Sequence, residues 1–368
     1  MKISDVNIFE NLDWEWYQKL LIPLLAIVTA LLIGAAVIAA SGANVLKAYQ
    51  GLWEGAFGKP RAIAETLVLA TPYILTGLAV AFGFKCGLFN IGAEGQLYAG
   101  AVVAAYIGFA VKGLPPYIHL PLAMIAGMLA GAVWGAIPGY LKAKTGGHEV
   151  INTIMMNYIM VRLTDYLVKN PMLDPDASIP RTPYIAESAY LPKIFPAFRL
   201  HWGFIIALAA VFLIYFILYR TTTGFEIRTV GHNQNAARYA GMNISRNFVL
   251  AMAVSGGLAG LAGGNEVLGL NYTLPAAFVS GYGFDAIAIA LLAKSNPFGI
   301  IPSALLWAAL RNGAGLMQVR AGISIDMINI IQACVIMFIA APTIIRWIYR
   351  IKAAKGEAGL VLTKGWGK

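Results

Sequence analysis

Charge is what this chain is short of. Only 12% of its 368 residues are Asp, Glu, Lys or Arg, against 59% that are hydrophobic. A soluble domain so poor in charge would expose large apolar patches, so lipid must be the solvent for much of the surface. Cysteine is scarce as well. Cys86 and Cys334 are the two present, each at or inside an apolar segment, which excludes a disulfide framework and zinc-ligand spacing and leaves them as small hydrophobes. No GxxxxGK[ST] loop occurs; the run GAFGKP at 55–60 lacks both the spacing and the hydroxyl, so the chain offers no P-loop for a nucleoside triphosphate. No cluster of His, Cys and carboxylates has metal-ligand spacing, and no nucleophile–base arrangement is visible. His148 and His232 stand alone and read as structural.

What is present is a series of long apolar runs. The mean hydropathy is +0.70, and uncharged stretches at 20–40, 66–84, 120–141, 202–219, 247–265 and 327–345 are each about 18 residues or longer, enough to cross a hydrocarbon core of about 30 Å as helices. They are too rich in Leu, Ile, Ala and Met, with too little alternation, for a transmembrane barrel. Four further spans, at about 88–110, 148–168, 277–293 and 297–313, carry Glu94, Glu149, Arg162, Asp165, Asp285 and Arg311 in or beside the apolar stretch. The expected fold is therefore an all-α, polytopic transmembrane bundle of about ten helices. The first run is long for a cleaved signal and reads as a retained helix.

The net charge of +10 is scattered between spans, which points to membrane topology rather than nucleic acid. With both termini inside, 16 of the 27 Lys and Arg fall on the cytoplasmic side and 10 outside, Arg162 lying in a span. The chain then divides into a cytoplasmic segment at 1–19, a transmembrane domain at 20–346 and a basic cytoplasmic tail at 347–368. The outer connection at 169–200 holds Pro171, Pro175, Pro180, Pro183, Pro192 and Pro196, a density that forbids a continuous helix and favours a stiff, turn-rich cap. It serves either as a lid or as a docking surface. The inner connection at 221–246 begins TTTGFEIRTVGHNQNAARYAGMN. Asn233 is a good N-cap, 234–240 are good helix formers and Gly241 is a natural stop, which specifies a short helix held between two spans.

That segment closely resembles the cytoplasmic coupling loop of the branched-chain amino acid, ribose and nucleoside permease family of ATP-binding cassette (ABC) importers. Gly224, Phe225, Ile227, Arg228, Val230, Gly231, Asn233, Ala236, Ala237 and Gly241 match the family pattern. A second run, GLFNIGAEGQL at 87–97, resembles the family's Asn-Ile-Gly-x-Glu-Gly-Gln block. A third, GHEVINTIMMNY at 147–158, looks like the branch that serves nucleosides and simple sugars. The resemblance implies a second permease subunit, identical or homologous, and two cytoplasmic ATP-binding subunits touched by Gly224, Phe225, Arg228, Gly231, Asn233, Ala236, Ala237, Arg238 and Gly241. It also implies an extracytoplasmic substrate-binding protein or lipoprotein, and a place in the cytoplasmic membrane. No cofactor is expected on this chain; ATP is used by the partner.

Polar residues in spans usually face a cavity or a partner helix. Asn90, Glu94 and Gln96 lie in a Gly-rich stretch, either lining a broken helix on the translocation path or holding the bundle together. Glu149 and Asn152 are neighbours on one helix face, and Asn157 shares a broad polar stripe with them. These six are the candidate pathway residues, with an ion network through Arg162 and Asp165 as the structural alternative. Two Gly-rich, polar-interrupted segments near 83–100 and 255–285 suggest an internal repeat; Phe278, Tyr282 and Phe284 read as packing aromatics. The competing reading is a self-contained ion-coupled transporter drawing on Glu94, Glu149 and Asp285.

Overall fold

In hydrocarbon every backbone N–H and C=O has to be satisfied within its own segment, so the apolar runs have helix as their only solution. The computed structural model describes residues 14–349 other than 277, 279, 280 and 325. The chain is an all-α, polytopic helical protein. Its helices are α1 (Trp14–Ala40), α2 (Val45–Phe57), α3 (Pro60–Lys85), α4 (Ala93–Ala110), α5 (Pro116–Thr145), α6 (Glu149–Lys169) and α7 (Gly203–Arg220). They continue with α8 (Thr222–His232), α9 (Gln234–Tyr239), α10 (Ile244–Glu266), α11 (Tyr282–Leu292), α12 (Pro297–Ala321), α13 (Asp326–Ala340) and α14 (Pro342–Ile348). No strand forms among the described residues.

Two compact units emerge. In the first, which holds α1, α13 and α14, α1 packs on α13 and α14 on both; the Thr29 and Tyr349 hydroxyls share a hydrogen bond of 2.9 Å. The second, 46–322, is built around α3, which α7, α10, α11 and α12 all touch and whose residues are buried without a break from Ala70 to Gly83. Beside it α4, α5 and α10 pack backbone to backbone. A β-carbon on Gly100 would stand 2.1 Å from the Gly260 carbonyl oxygen, and one on Gly131 would stand 2.3 Å from that of Gly256. Such approaches need the missing side chains, which is how helices associate where no hydrophobic drive exists between them.

Each of the ten expected spans corresponds to a helix, but their lengths differ. Five (α1, α3, α5, α7 and α10) are long and apolar enough to cross a membrane by composition alone. α11 has only 11 residues, about 16 Å of helix, and the described residues leading to it, 272–276, 278 and 281, are irregular. α12 runs on to Ala321, so Arg311 lies well inside a helix rather than at its outer end. α13 stops at Ala340, and a separate helix starts at Pro342, where a proline ring cannot continue the preceding turn. α2 has 13 residues, too few to span; it was not expected, and it lies against α12 through Gly51 and Gly55. The Pro-rich connection is irregular apart from a turn of 3-10 helix at Glu187–Ala189. Hydrogen bonds from Thr182 N–H to the Leu274 carbonyl and from Ile185 N–H to the Tyr272 carbonyl, both 3.0 Å, tie it to the segment that leads into α11.

Candidate functional site

The chain reverses direction between α3 and α4 at 86–92, and this turn organises the polar interior. Asn90 and Gln96 are fully buried and bond amide to amide: Asn90 Nδ2 donates to Gln96 Oε1 at 2.7 Å, and Gln96 Nε2 donates to Asn90 Oδ1 at 3.0 Å. Asn90 also donates to Ser255 Oγ on α10 at 2.7 Å and accepts from Gly92 N–H. Asn157, on α6, accepts from Gly95 N–H at 2.8 Å and donates to the Ile91 carbonyl at 2.8 Å. Each amide meets both a donor and an acceptor, which low-dielectric surroundings require of a buried polar group. These three residues thus form one network joining α4, α6 and α10 to the turn.

Glu94 stands apart from it. Its buried carboxylate accepts from Gly281 N–H at 2.8 Å and from Gly283 N–H at 2.7 Å, so it caps the start of α11, where unpaired N–H groups and the helix dipole favour a negative charge. Glu149 pairs with Lys142 at 2.9 Å, and Asp165 with Lys169 at 2.8 Å. No bond runs from Glu149 to Arg162 or Asp165. Asn152 is half-buried at the start of α6, near Gly147. Three of the six candidates therefore lie outside the amide network: Glu94 at the start of α11, and Glu149 and Asn152 at the first turn of α6. The two Gly-rich segments thought to correspond as a repeat meet each other, through Asn90 with Ser255 and Glu94 with Gly281.

A further cluster surrounds the middle of α3. Tyr73 donates to Asp285 Oδ2 at 2.7 Å, and Arg311 Nη1 donates to the same oxygen at 3.1 Å and to the Tyr73 hydroxyl at 2.8 Å. Tyr282 packs edge-on against Tyr73 and lies under the Arg311 guanidinium. From the helix rise, Tyr73 lies about 18 Å from one end of α3 and about 20 Å from the other, close to mid-depth. The Arg311 side chain is 43% exposed. A charge exposed at that depth has to face water or protein rather than lipid. The sequence showed Asp285 and Arg311 only as charges beside spans and Tyr282 as packing. The signal it did carry was two opposite charges in neighbouring weak spans.

Beyond α7, Thr221 caps α8, accepting from Gly224 N–H at 3.1 Å. Asn233 caps α9, accepting from the N–H groups of Asn235 and Ala236 at 3.0 and 3.1 Å. Gly241 takes φ +79°, the left-handed conformation that ends a helix. Of α9 only Ala237 is buried, and Tyr239 is 95% exposed. α8 is fixed on three sides. Arg228 Nε donates to the Leu218 carbonyl at 3.0 Å while its guanidinium lies 5.0 Å from the Tyr219 ring centre. Glu226 accepts from Asn247 of α10 at 2.9 Å. Gly231 sits on the turn after α3, where a β-carbon would be 2.2 Å from the Lys85 carbonyl oxygen. Phe225 stays exposed. The exposed α9 is thus joined, through α8, to the turn that carries Asn90.

Between the Pro-rich connection and α7, His201 is buried against Gly203 and Gly269, and its Nδ1 accepts from Gly203 N–H at 3.1 Å. Burial lowers its pKa to about 4, because the charged imidazolium would lose its hydration there.

The family profile described as "Branched-chain amino acid transport system / permease component" matches residues 62–340. The guanosine ABC transporter permease protein NupP of Bacillus subtilis is 44% identical over 92% of this chain and 98% of its own length. The nucleoside ABC transporter permease protein NupB of Lactococcus lactis is 38% identical over 89% and 92%. The glucose ABC transporter permease protein TsgB13 of Haloferax volcanii is 34% identical over 92% and 91%.

Proposed function

The chain belongs to the permease-component family of branched-chain amino acid transport systems, and on that premise we propose that it is the membrane-spanning subunit of an ABC importer for a nucleoside or simple sugar. It is a multi-pass membrane protein and a transporter component rather than an enzyme. The observation that carries the reading is α9, a capped and almost wholly exposed helix seated through α8 on the α3–α4 turn. That is the form a lever needs: rigid, accessible and joined to the membrane interior by contacts with no slack.

The mechanism follows from those contacts. Closure of two partner ATPases bears on α9 and on Phe225, with α9 and both termini on the cytoplasmic side. α8 passes the displacement to the end of α7 through Arg228, to α10 through Glu226 and to the 86–92 turn through Gly231. The amides of Asn90, Gln96 and Asn157 then carry α4, α6 and α10 together, and a second permease subunit moves in concert to open the path outward. An extracytoplasmic binding protein delivers the solute, and ATP is consumed only by the partners. The ion-coupled alternative has less to work with: Glu94 is held by two backbone N–H groups, Glu149 by Lys142, and Asp285 by Tyr73 and Arg311.

The test is uptake of radiolabelled guanosine, adenosine, uridine, ribose and glucose in cells with and without this chain. Loss of uptake for one of these solutes supports the assignment and names the cargo. Unchanged uptake of all of them rejects it.

A further inference from the structure

α10 loosens at its far end. It stops at Glu266 and passes into a π-helical turn, Val267–Asn271, a distortion that recurs at functional sites. Glu266 is only 7% exposed, yet among the described residues it has no hydrogen-bond or ion-pair partner. That sets it apart from the buried amides of Asn90, Gln96 and Asn157, each of which is satisfied. A carboxylate buried without a donor is costly. Its place follows from helix geometry. Cys86 meets Asn247 and Ala79 meets Ser255, so α3 and α10 run antiparallel. Ser255, which donates to the Ala79 carbonyl, lies on the same face of α10 three turns before Glu266. Glu266 therefore faces α3 about 16 Å beyond Ala79, at a level between Glu65 and Tyr73.

The charges around it are already matched. Arg199 donates twice to Glu65, at 2.9 and 2.6 Å, and Arg311 is bonded to Asp285 and Tyr73. Glu266 lies in the field of both arginines and of Tyr282. Glu65, Asp285 and Glu266 thus share two cations, and Glu266 is the one left over. The Tyr282 hydroxyl, on a side chain only 7% exposed, also has no hydrogen-bond partner among the described residues. A carboxylate only accepts, and a phenol both donates and accepts; what the pair lacks is a ligand that brings donors. Resting on the permease reading above, we propose that Glu266 is a substrate-binding residue whose two oxygens accept from a pair of adjacent hydroxyls on the solute, Tyr282 donating to one of them. Nucleosides and simple sugars share such a pair. A neutral donor suits this place better than a metal ion, which the two guanidinium groups repel. The cluster opens on the side of Arg311, whose side chain is 43% exposed, and that opening admits the solute.

The experiment uses the full transporter with its partners and measures uptake of labelled guanosine, adenosine, uridine, ribose and glucose, each beside its single-deoxy analogues. For the solute that is transported, wild type is expected to disfavour the analogues that lack either member of one adjacent hydroxyl pair. Glu266→Gln is expected to reduce that discrimination about tenfold, the effect of one hydrogen bond to a charged group, and Tyr282→Phe to reduce it by less. Wild type that transports every analogue as well as its parent overturns the proposal, as does unchanged discrimination in Glu266→Gln. Equal loss of parent and analogue in Glu266→Gln also overturns it, because a residue that only packs the bundle or holds a cation does not tell them apart. Each of these outcomes leaves the permease reading intact. A wild-type transporter that moves none of the five solutes removes the cargo reading itself, and this inference with it.

Discussion

Gly231→Ala is the substitution that probes the lever most sharply. The new β-carbon would lie 2.2 Å from the Lys85 carbonyl oxygen and 2.9 Å from the backbone of Cys86 and Gly87, where non-bonded contact needs about 3.5 Å. The three nearest atoms are all backbone, so rotating a side chain does not relieve the contact. α8 has to withdraw by about 1 Å or the turn has to yield, and overpacking of this kind costs about 1–3 kcal/mol. That corresponds to roughly fivefold to hundredfold in an equilibrium. The loss falls on the contact that joins α8 to the turn carrying Asn90. In the purified complex, nucleoside uptake is expected to drop about tenfold while the ATPase subunits still copurify, and ATP hydrolysis becomes less responsive to substrate. Gly315→Ala, whose β-carbon would meet nothing within 4 Å, is the control and is expected to be silent. Wild-type uptake in Gly231→Ala would refute the reasoning, because the coupling would then not pass through this contact.

Glu94→Gln keeps one acceptor for α11 and turns an amide N–H₂ toward the other backbone donor; stranding that buried N–H costs about 1–3 kcal/mol, to be read as a lower thermal midpoint in detergent. Asn157→Leu removes both the Gly95 and the Ile91 bonds and is expected to reduce uptake more than assembly with the ATPase; an intact complex with unchanged uptake would make the amide a packing residue only. His201 gives a pH dependence. Its pKa is about 4 folded against about 6.5 unfolded, so the neutral ring's contribution is complete above about pH 6.5 and is lost as pH falls toward 4, up to about 3 kcal/mol. Thermal melts from pH 7.5 to 4.5 should therefore fall more steeply for wild type than for His201→Asn.

What the sequence made legible was local. Ten apolar segments, the Asn233 cap and the Gly241 stop each depend on residues within a few positions of one another, and each has its helix, cap or left-handed turn in the structure. α8 was not legible. TTGFEIRTVGH is rich in β-branched residues and glycine, which have weak helix propensity, and packing on α7, α10 and the α3–α4 turn overrides it. The cluster at mid-depth was hidden for another reason: Tyr73, Asp285 and Arg311 lie on three helices far apart in sequence, and only the fold brings them together. The polar residues of the 87–97 and 147–158 runs were visible as a set. That Asn90 and Gln96 satisfy each other and Asn157 the backbone of Ile91 and Gly95, while Glu94 caps a different helix, depends on geometry that no spacing encodes. α11 was taken for a full span because apolar composition does not reveal that its helix begins only at Tyr282.

The most direct test of the account is uptake of labelled nucleosides in cells carrying this chain, with and without the ATPase partner. The account requires that uptake vanish when the ATPase is removed and survive when the ion gradient is dissipated. Uptake that persists without the ATPase and collapses with the gradient would contradict it, making the membrane carboxylates, rather than α8 and α9, the source of drive.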